Sequence, residues 1–387
     1  MADKKRVLIV QSRVDSQGGG NLVAAWALQA LCGAYDLSLA ALWPIDYSAV
    51  NRSFGTALKE GDFTVHVAPP PFQRFRWMPT RGAQLERSLV GRFAQDLDRS
   101  HPYDILFSTH NEVDFHRRGL QYVHYPAAYL PRPKDEIRWF HKLPGVHPAY
   151  LAFCQRMQRA TPAGLGRNQT LANSKFVAAR CRELYGTLPM VVYPPVPGDF
   201  PRVPWQERHA GFVAAGRLHE TKRWDVAVSI IEEVRRRGHP VTFTLIGHPD
   251  SVAYVQRLQE LARTRPWFRM LYDLSREQLV FEMTRHRYGI HTMEEEHFGI
   301  APAEIQRAGC ITFVHNSGGP AEIVGGHPQL VFNTVQEAAD KIERVLTDCS
   351  LEEGLRSHVA LQRDRFTVDA FCKSLREIVA GFDSGSS

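Results

Sequence analysis

No stretch of the 387 residues approaches the roughly eighteen uncharged apolar positions that a membrane-spanning helix requires, so no such span is expected. The opening Met-Ala-Asp-Lys-Lys-Arg runs at once into a strand-like stretch, Val7 to Val10, and no secretory signal is expected there. The six cysteines, Cys32, Cys154, Cys181, Cys310, Cys349 and Cys372, contain no C-x-x-C pair. Neither a thiolate metal site nor a redox couple is therefore expected, a reducing cytoplasm fits best, and the sequons at Asn51 and Asn168 read as ordinary polar positions. G-x-G-x-x-G and P-loop spacings are missing, which counts against a dinucleotide oxidoreductase or a nucleoside triphosphatase. Zinc-finger spacing and RNP-like aromatics are missing too, so nucleic acid is not expected as the main partner. The net charge of +6 still favours something anionic, with a phosphorylated small molecule or an acidic lipid surface left open.

What is present is alternation. Short apolar, β-branched runs recur between longer amphipathic stretches, the signature of a parallel sheet wrapped by helices. Strands are expected at Arg6 to Gln11, Leu37 to Leu42, Phe63 to Val67, Tyr103 to Ser108, Gln121 to Tyr125, Ala172 to Phe176 and Val191 to Tyr193. Pro194-Pro-Val-Pro-Gly198 then reads as a linker. The pattern restarts with strands at Ala210 to Ala215, Thr242 to Ile246, Arg269 to Tyr272 and Tyr288 to Thr292, with helices at Asp225 to Arg237 and Val252 to Arg263. The expected architecture is α/β, with two doubly wound Rossmann-like domains, 1–197 and 198–365, facing across a cleft. Residues 366–387 add a helix, Val368 to Ala380, that packs back on the first domain, and a disordered Gly/Ser tail. Ligands of such sheets bind beyond the carboxyl ends of the strands.

The segment from His291 to Gly309 is the richest in chemistry. A strand ends near Met293, a polar loop follows, Pro302 suits a first helical turn and Gly309 the position past the helix end. The amides of Phe298, Gly299, Ile300 and Ala301 then precede the first intrahelical bonds, at a positive helix terminus beside a glycine, which suits phosphate. Glu296 lies in the loop and Glu304 in the helix, so the two carboxylates address different parts of an extended ligand. A solvated acidic cluster with a dipole-complementing Glu304 explains the same spacing equally well. Arg217 and Lys222 follow the first strand of the second domain and are placed to neutralise a diphosphate, unless they are surface charges. In the first domain Gly18 and Gly19 join strand to helix, and His110 and His124 stand at later strand ends.

In this order the pieces resemble the family-4 retaining glycosyltransferases of GT-B fold: the Gly-rich loop, a strand-end histidine, Ala172-Asn-Ser-Lys175, Gly-Arg-Leu-x-x-x-Lys at 216–222 and E-x7-E at 296–304. Three segments, Tyr122-Val-His-Tyr-Pro126, Val192-Tyr-Pro-Pro195 and the run from Gly289 to Pro320, look most like eukaryotic GDP-mannose-dependent α-1,2-mannosyltransferases of lipid-linked oligosaccharide assembly. The resemblance implies a hexosyltransferase whose donor is a nucleotide sugar, GDP-mannose first and UDP-hexose second. It also implies that Glu304 binds ribose and Glu296 the hexose, that Phe298, Gly299 and Ile300 offer amides, that Arg217 and Lys222 hold the diphosphate, and that His124 lies near the reacting carbon; His110 is expected to line the substrate site.

No cofactor or metal is expected, since the single Asp-x-Asp triplet, Asp96-Leu-Asp98, falls in a charged helical stretch rather than at a strand end. The acceptor is a small molecule, a glycan or a lipid-linked sugar. Basic and aromatic residues interleave at Arg74 to Trp77 with Arg81, and at Arg132 to Lys142, which suits either peripheral contact with an anionic membrane or solvated variable loops. A sugar-nucleotide epimerase or non-glycosidic coupling enzyme on the same fold, and a catalytically silent sugar-nucleotide sensor, remain alternatives.

Overall fold

The computed structural model describes residues 4–70, 83–126, 143 and 145–382. The basic-aromatic stretches at 74–81 and 132–142 and the Gly/Ser tail lie outside these residues. The chain divides into two compact units, one formed by 1–197 with 367–387 and the other by 198–366.

The first unit holds β1 (Arg6–Val10), β2 (Asp36–Ala41), β3 (Thr64–Val67), β4 (Ile105–Ser108), β5 (Leu120–Val123), β6 (Gln169–Ala172) and β7 (Met190–Val191). They form one parallel sheet in the order β3-β2-β1-β4-β5-β6-β7. Val7 to Val10 are all fully buried, the continuous apolar run that a central parallel strand needs when helices cover both faces. β4 starts at Ile105 rather than Tyr103, because the Tyr103 amide is taken by the Asp98 carboxylate at 3.0 Å, a turn rather than a ladder bond. The helix Val368–Ala380, capped by the Thr367 hydroxyl, packs on the helix Gly19–Leu31 of this unit; Arg376 donates to the Ala30 carbonyl at 2.7 Å and Phe371 meets the Tyr122 ring edge-on.

The second unit holds β8 (His209–Ala215), β9 (Thr242–Gly247), β10 (Phe268–Tyr272), β11 (His286–His291), β12 (Ile311–His315) and β13 (Val331–Phe332), a parallel sheet ordered β10-β9-β8-β11-β12-β13. Its core gathers Phe212, Trp224, Phe243, Ile290 and Phe313. β11 begins two residues before Tyr288 because the polar His286 is satisfied in the interior, its Nδ1 lying 2.6 Å from the Glu282 carbonyl and its Nε2 3.1 Å from the Thr244 hydroxyl.

Asn168 is more than an ordinary polar position. Only 6% exposed, it accepts from the Gly119 amide at 3.0 Å and donates to the Val113 carbonyl at 2.7 Å and Gln121 Oε1 at 2.9 Å. Asn168→Ala leaves these groups unsatisfied and is expected to destabilise the protein by about 3 kcal/mol, read as a lowered midpoint in urea unfolding.

Candidate functional site

A doubly wound sheet opens its ligand crevice where the strand order reverses. In the second unit that point lies between β8 and β11. The loop leaving β8 turns at Gly216, whose φ of +152° and 3.1 Å spacing between a would-be Cβ and the Trp224 ring favour glycine. Trp224, fully buried, donates its indole N–H to the Arg217 carbonyl at 3.0 Å, and the Thr292 hydroxyl reaches the carbonyls of Lys222 and Arg223 at 2.9 and 2.8 Å. These bonds tie the β8 and β11 loops together. As a result the Lys222 ammonium sits on Glu296 Oε2.

The Glu296 backbone is held from the opposite side. Ser317 Oγ accepts from the Glu295 amide at 2.8 Å, and the Gly319 amide donates to the Glu296 carbonyl at 2.8 Å. Gly318, at φ +77°, passes so close that a Cβ would lie 2.8 Å from the Glu296 amide nitrogen. The Glu296 side chain is 16% exposed, and burial alone would push its carboxyl up. The Lys222 charge and the adjacent His291 outweigh burial and hold the carboxyl well below the usual carboxylate range. His291 closes β11, is 1% exposed, and places Nε2 3.4 Å from Glu296 Oε2; burial lowers its basicity, so the imidazole is neutral at pH 7. Glu294 differs from Glu296: nearly half exposed, it pairs with Arg223 and lies 3.7 Å from His315. The acidic run therefore fits a solvated cluster at Glu294 and departs from it at Glu296.

Glu304 lies within the helix Ile300–Arg307, 11% exposed, with its carboxylate on the Arg276 guanidinium. Gly299 caps that helix at φ +94°, and the first intrahelical amide bond runs from Ala303 to the Gly299 carbonyl. The Ile300 and Ala301 amides precede it. The Phe298 ring is buried edge-on against Phe366. Arg217, 63% exposed, reaches Asp250 at 2.8 Å, so the two cations of one loop engage different acids.

In the first unit the reversal lies between β1 and β4. Gly18 (φ +144°) caps the helix that Gly19 opens, and a Cβ on Gly20 would stand 3.4 Å from His124 Nε2. His124 is fixed by its amide to Asn111 Oδ1 at 2.5 Å, by Asn173, which donates to its carbonyl at 3.0 Å, and by Nε2 at 3.0 Å from the Thr109 carbonyl. His110 has a buried Nδ1 with no hydrogen-bond partner among the described residues, and burial, with Arg87 and His124 nearby, pushes its pKa down to about 3. The glycine loop and both histidines thus gather at one switch point.

Sequence spacing missed His291, Arg276 and the Ser317–Gly319 support. A polar residue closing a buried strand was the available signal for His291; Arg276 carried none. Asp96 and Asp98 lie in the helix Ala83–Ser100 and pair with Arg92, Arg99 and Arg117. Among the described residues no three His, Cys, Asp or Glu side chains gather as metal ligands, and no helix is long and apolar enough to cross a membrane.

Residues 199–359 match the family model for glycosyl transferases group 1, and the chain carries that domain. Among curated proteins, the GDP-Man:Man(3)GlcNAc(2)-PP-Dol alpha-1,2-mannosyltransferase of Dictyostelium discoideum is 30% identical over 32% of this chain and 25% of its own length. The Mus musculus protein of the same name is 27% identical over 47% of this chain and 41% of its own. The matched region therefore spans less than half the length of these relatives. Among solved structures, HepE of Anabaena, in complex with UDP and glucose, superposes with a TM-score of 0.65 at 15% identity, covering 98% of this chain and all of that one. WaaG, a glycosyltransferase involved in lipopolysaccharide biosynthesis, gives 0.67 at 12% identity over 97% of this chain and all of its own. At such identities the likeness speaks for the fold, which is GT-B: two parallel, Rossmann-like sheets with flanking helices.

Proposed function

We propose that this protein is a retaining glycosyltransferase that moves a hexose from a nucleoside diphosphate sugar, GDP-mannose first and UDP-hexose second, to an acceptor hydroxyl. The observation that carries the reading is Glu296, a largely buried carboxylate kept ionised by Lys222 and His291 at the switch point of the second sheet, within the glycosyl transferases group 1 domain. An ionised carboxylate aligned in advance is a strong acceptor for sugar hydroxyls. The second unit is assigned the nucleotide sugar and the first the acceptor.

In the proposed reaction the acceptor oxygen bonds to the anomeric carbon on the face from which the diphosphate departs. The carbon–oxygen bond to the β-phosphate breaks, and a leaving phosphate oxygen takes the acceptor proton. Developing charge on the diphosphate meets Lys222, Arg217 and the amides of Ile300 and Ala301, so the chemistry is assigned no metal or cofactor. Glu296 is assigned the hexose and Glu304 the ribose, and in the first unit His124, His110 and the Gly18–Gly19 loop are assigned to substrate binding. Neither glutamate serves as a nucleophile, unlike one carboxylate of the pair in a retaining glycosidase. The acceptor is a small molecule, glycan or lipid-linked sugar, and six unpaired cysteines agree with a cytoplasmic setting.

Calorimetry against GDP-, UDP-, ADP- and dTDP-sugars tests the reading. Tight binding of NAD with no sugar nucleotide bound would overturn it. Arg276→Ala should weaken nucleoside diphosphate binding about tenfold and erase discrimination between ribose and 2′-deoxyribose ligands, because Glu304 loses its charged partner. Calorimetric titration of GDP and 2′-deoxy-GDP checks this.

A further inference from the structure

We infer that His291 is a positioning residue, which together with Lys222 fixes the Oε2 edge of the Glu296 carboxylate and so presents Oε1 to the donor hexose. This rests on the reading of Glu296 as the hexose contact. The argument begins with what His291 does not need to be. Its ring meets Trp224 edge-on at 5.8 Å, a packing role that an apolar side chain fills without desolvating two nitrogens. Its Nε2 is buried, and among the described residues no donor or acceptor completes a well-aligned hydrogen bond to it. The polar group it approaches is Glu296 Oε2, at 3.4 Å. That oxygen is also the one the Lys222 ammonium holds. The ammonium and the imidazole thus both fall on a single oxygen of one carboxylate.

A carboxylate held by one oxygen is fixed in rotation and keeps the lone pairs of the other for a ligand. Catalytic contacts that are long without ligand commonly shorten when it binds, and a sugar hydroxyl on Oε1 would draw the carboxylate against Nε2. The imidazole is suited to this as a neutral donor. It adds direction without adding a second positive charge beside Lys222. An arginine or lysine at position 291 would instead repel Lys222 across the shared oxygen.

The experiment compares the affinity of a sugar nucleotide with that of its bare diphosphate, using GDP-mannose with GDP, and UDP-glucose with UDP, by calorimetry. Wild type, His291→Asn, His291→Phe and Glu296→Ala are measured, with circular dichroism to verify folding. Glu296→Ala should lower the sugar nucleotide's advantage over the diphosphate about tenfold, and each His291 variant should lower it about three- to tenfold while leaving diphosphate binding near wild type. In the Glu296→Ala background, His291→Asn should change the ratio no further. Equal weakening of both ligands, or an unchanged ratio in both His291 variants, overturns the inference while the hexose role of Glu296 stands. An unchanged ratio in Glu296→Ala, or a wild type that binds none of the four ligands, overturns the functional reading first.

Discussion

Glu296→Ala is expected to lower kcat/KM by about 100- to 1,000-fold, with affinity for the bare nucleoside diphosphate changed less than about threefold. On the proposed reading the carboxylate meets the hexose and not the leaving group, so its loss should fall on the transition state and on sugar binding. Glu296→Gln separates charge from shape: the amide keeps the volume but pairs poorly with Lys222, and most of the loss should persist. Steady-state kinetics with the donor found by calorimetry, beside titration of the diphosphate, checks both parts. Unchanged turnover in the alanine variant would remove Glu296 from the site.

Lys222→Ala is expected to cost a comparable factor in kcat/KM and to change the pH dependence as well. In the wild type, burial pushes the Glu296 carboxyl up, and Lys222 and His291 more than reverse it. A carboxyl whose folded pKa is depressed contributes stability that is fully present above its unfolded value, about 4.3, and is lost as pH falls through the folded value. The wild type should therefore show no acid limb from Glu296 between pH 5 and 8. Removing the ammonium leaves burial opposed by His291 alone. The carboxyl then titrates higher, and an acid limb should enter the kcat/KM profile of the variant as pH falls from neutrality. Profiles of both proteins over that range test this, and parallel profiles would show that Lys222 does not set the charge state of Glu296.

The parts of the molecule legible from sequence are those in which one physical demand dominates. The strand through Val7 to Val10 is apolar at every position because both faces are covered, and the helices Val252–Arg263 and Val368–Ala380 carry clear amphipathic periods. β13, two residues long, has no period to read. The start of β11 was obscured because His286 and Arg287 are polar, their acceptability resting on partners elsewhere in the fold. In the site, the spacing of Glu296 and Glu304 and the cations of the 216–222 loop were visible. What makes Glu296 unlike Glu294 was not. Lys222 reaches it across 74 residues of chain, and Ser317, Gly318 and Gly319 support it from beyond another strand. Glu304 meets Arg276 across 28 residues. Local pattern encodes exposure and period; it does not encode which distant charge a side chain will find.

The helix Val368–Ala380 completes the first unit although the whole second unit, 198–366, intervenes in the chain. During synthesis on a ribosome, 198–366 emerges uninterrupted and can fold while the first unit still lacks its last piece. Until residues 367–380 follow, the surface of the Gly19–Leu31 helix that receives Arg376, and the Tyr122 ring that receives Phe371, stay uncovered. Translation order thus makes the half of the protein made first the half finished last, and a stalled or truncated chain would present a folded second unit beside an open, chaperone-accessible first one.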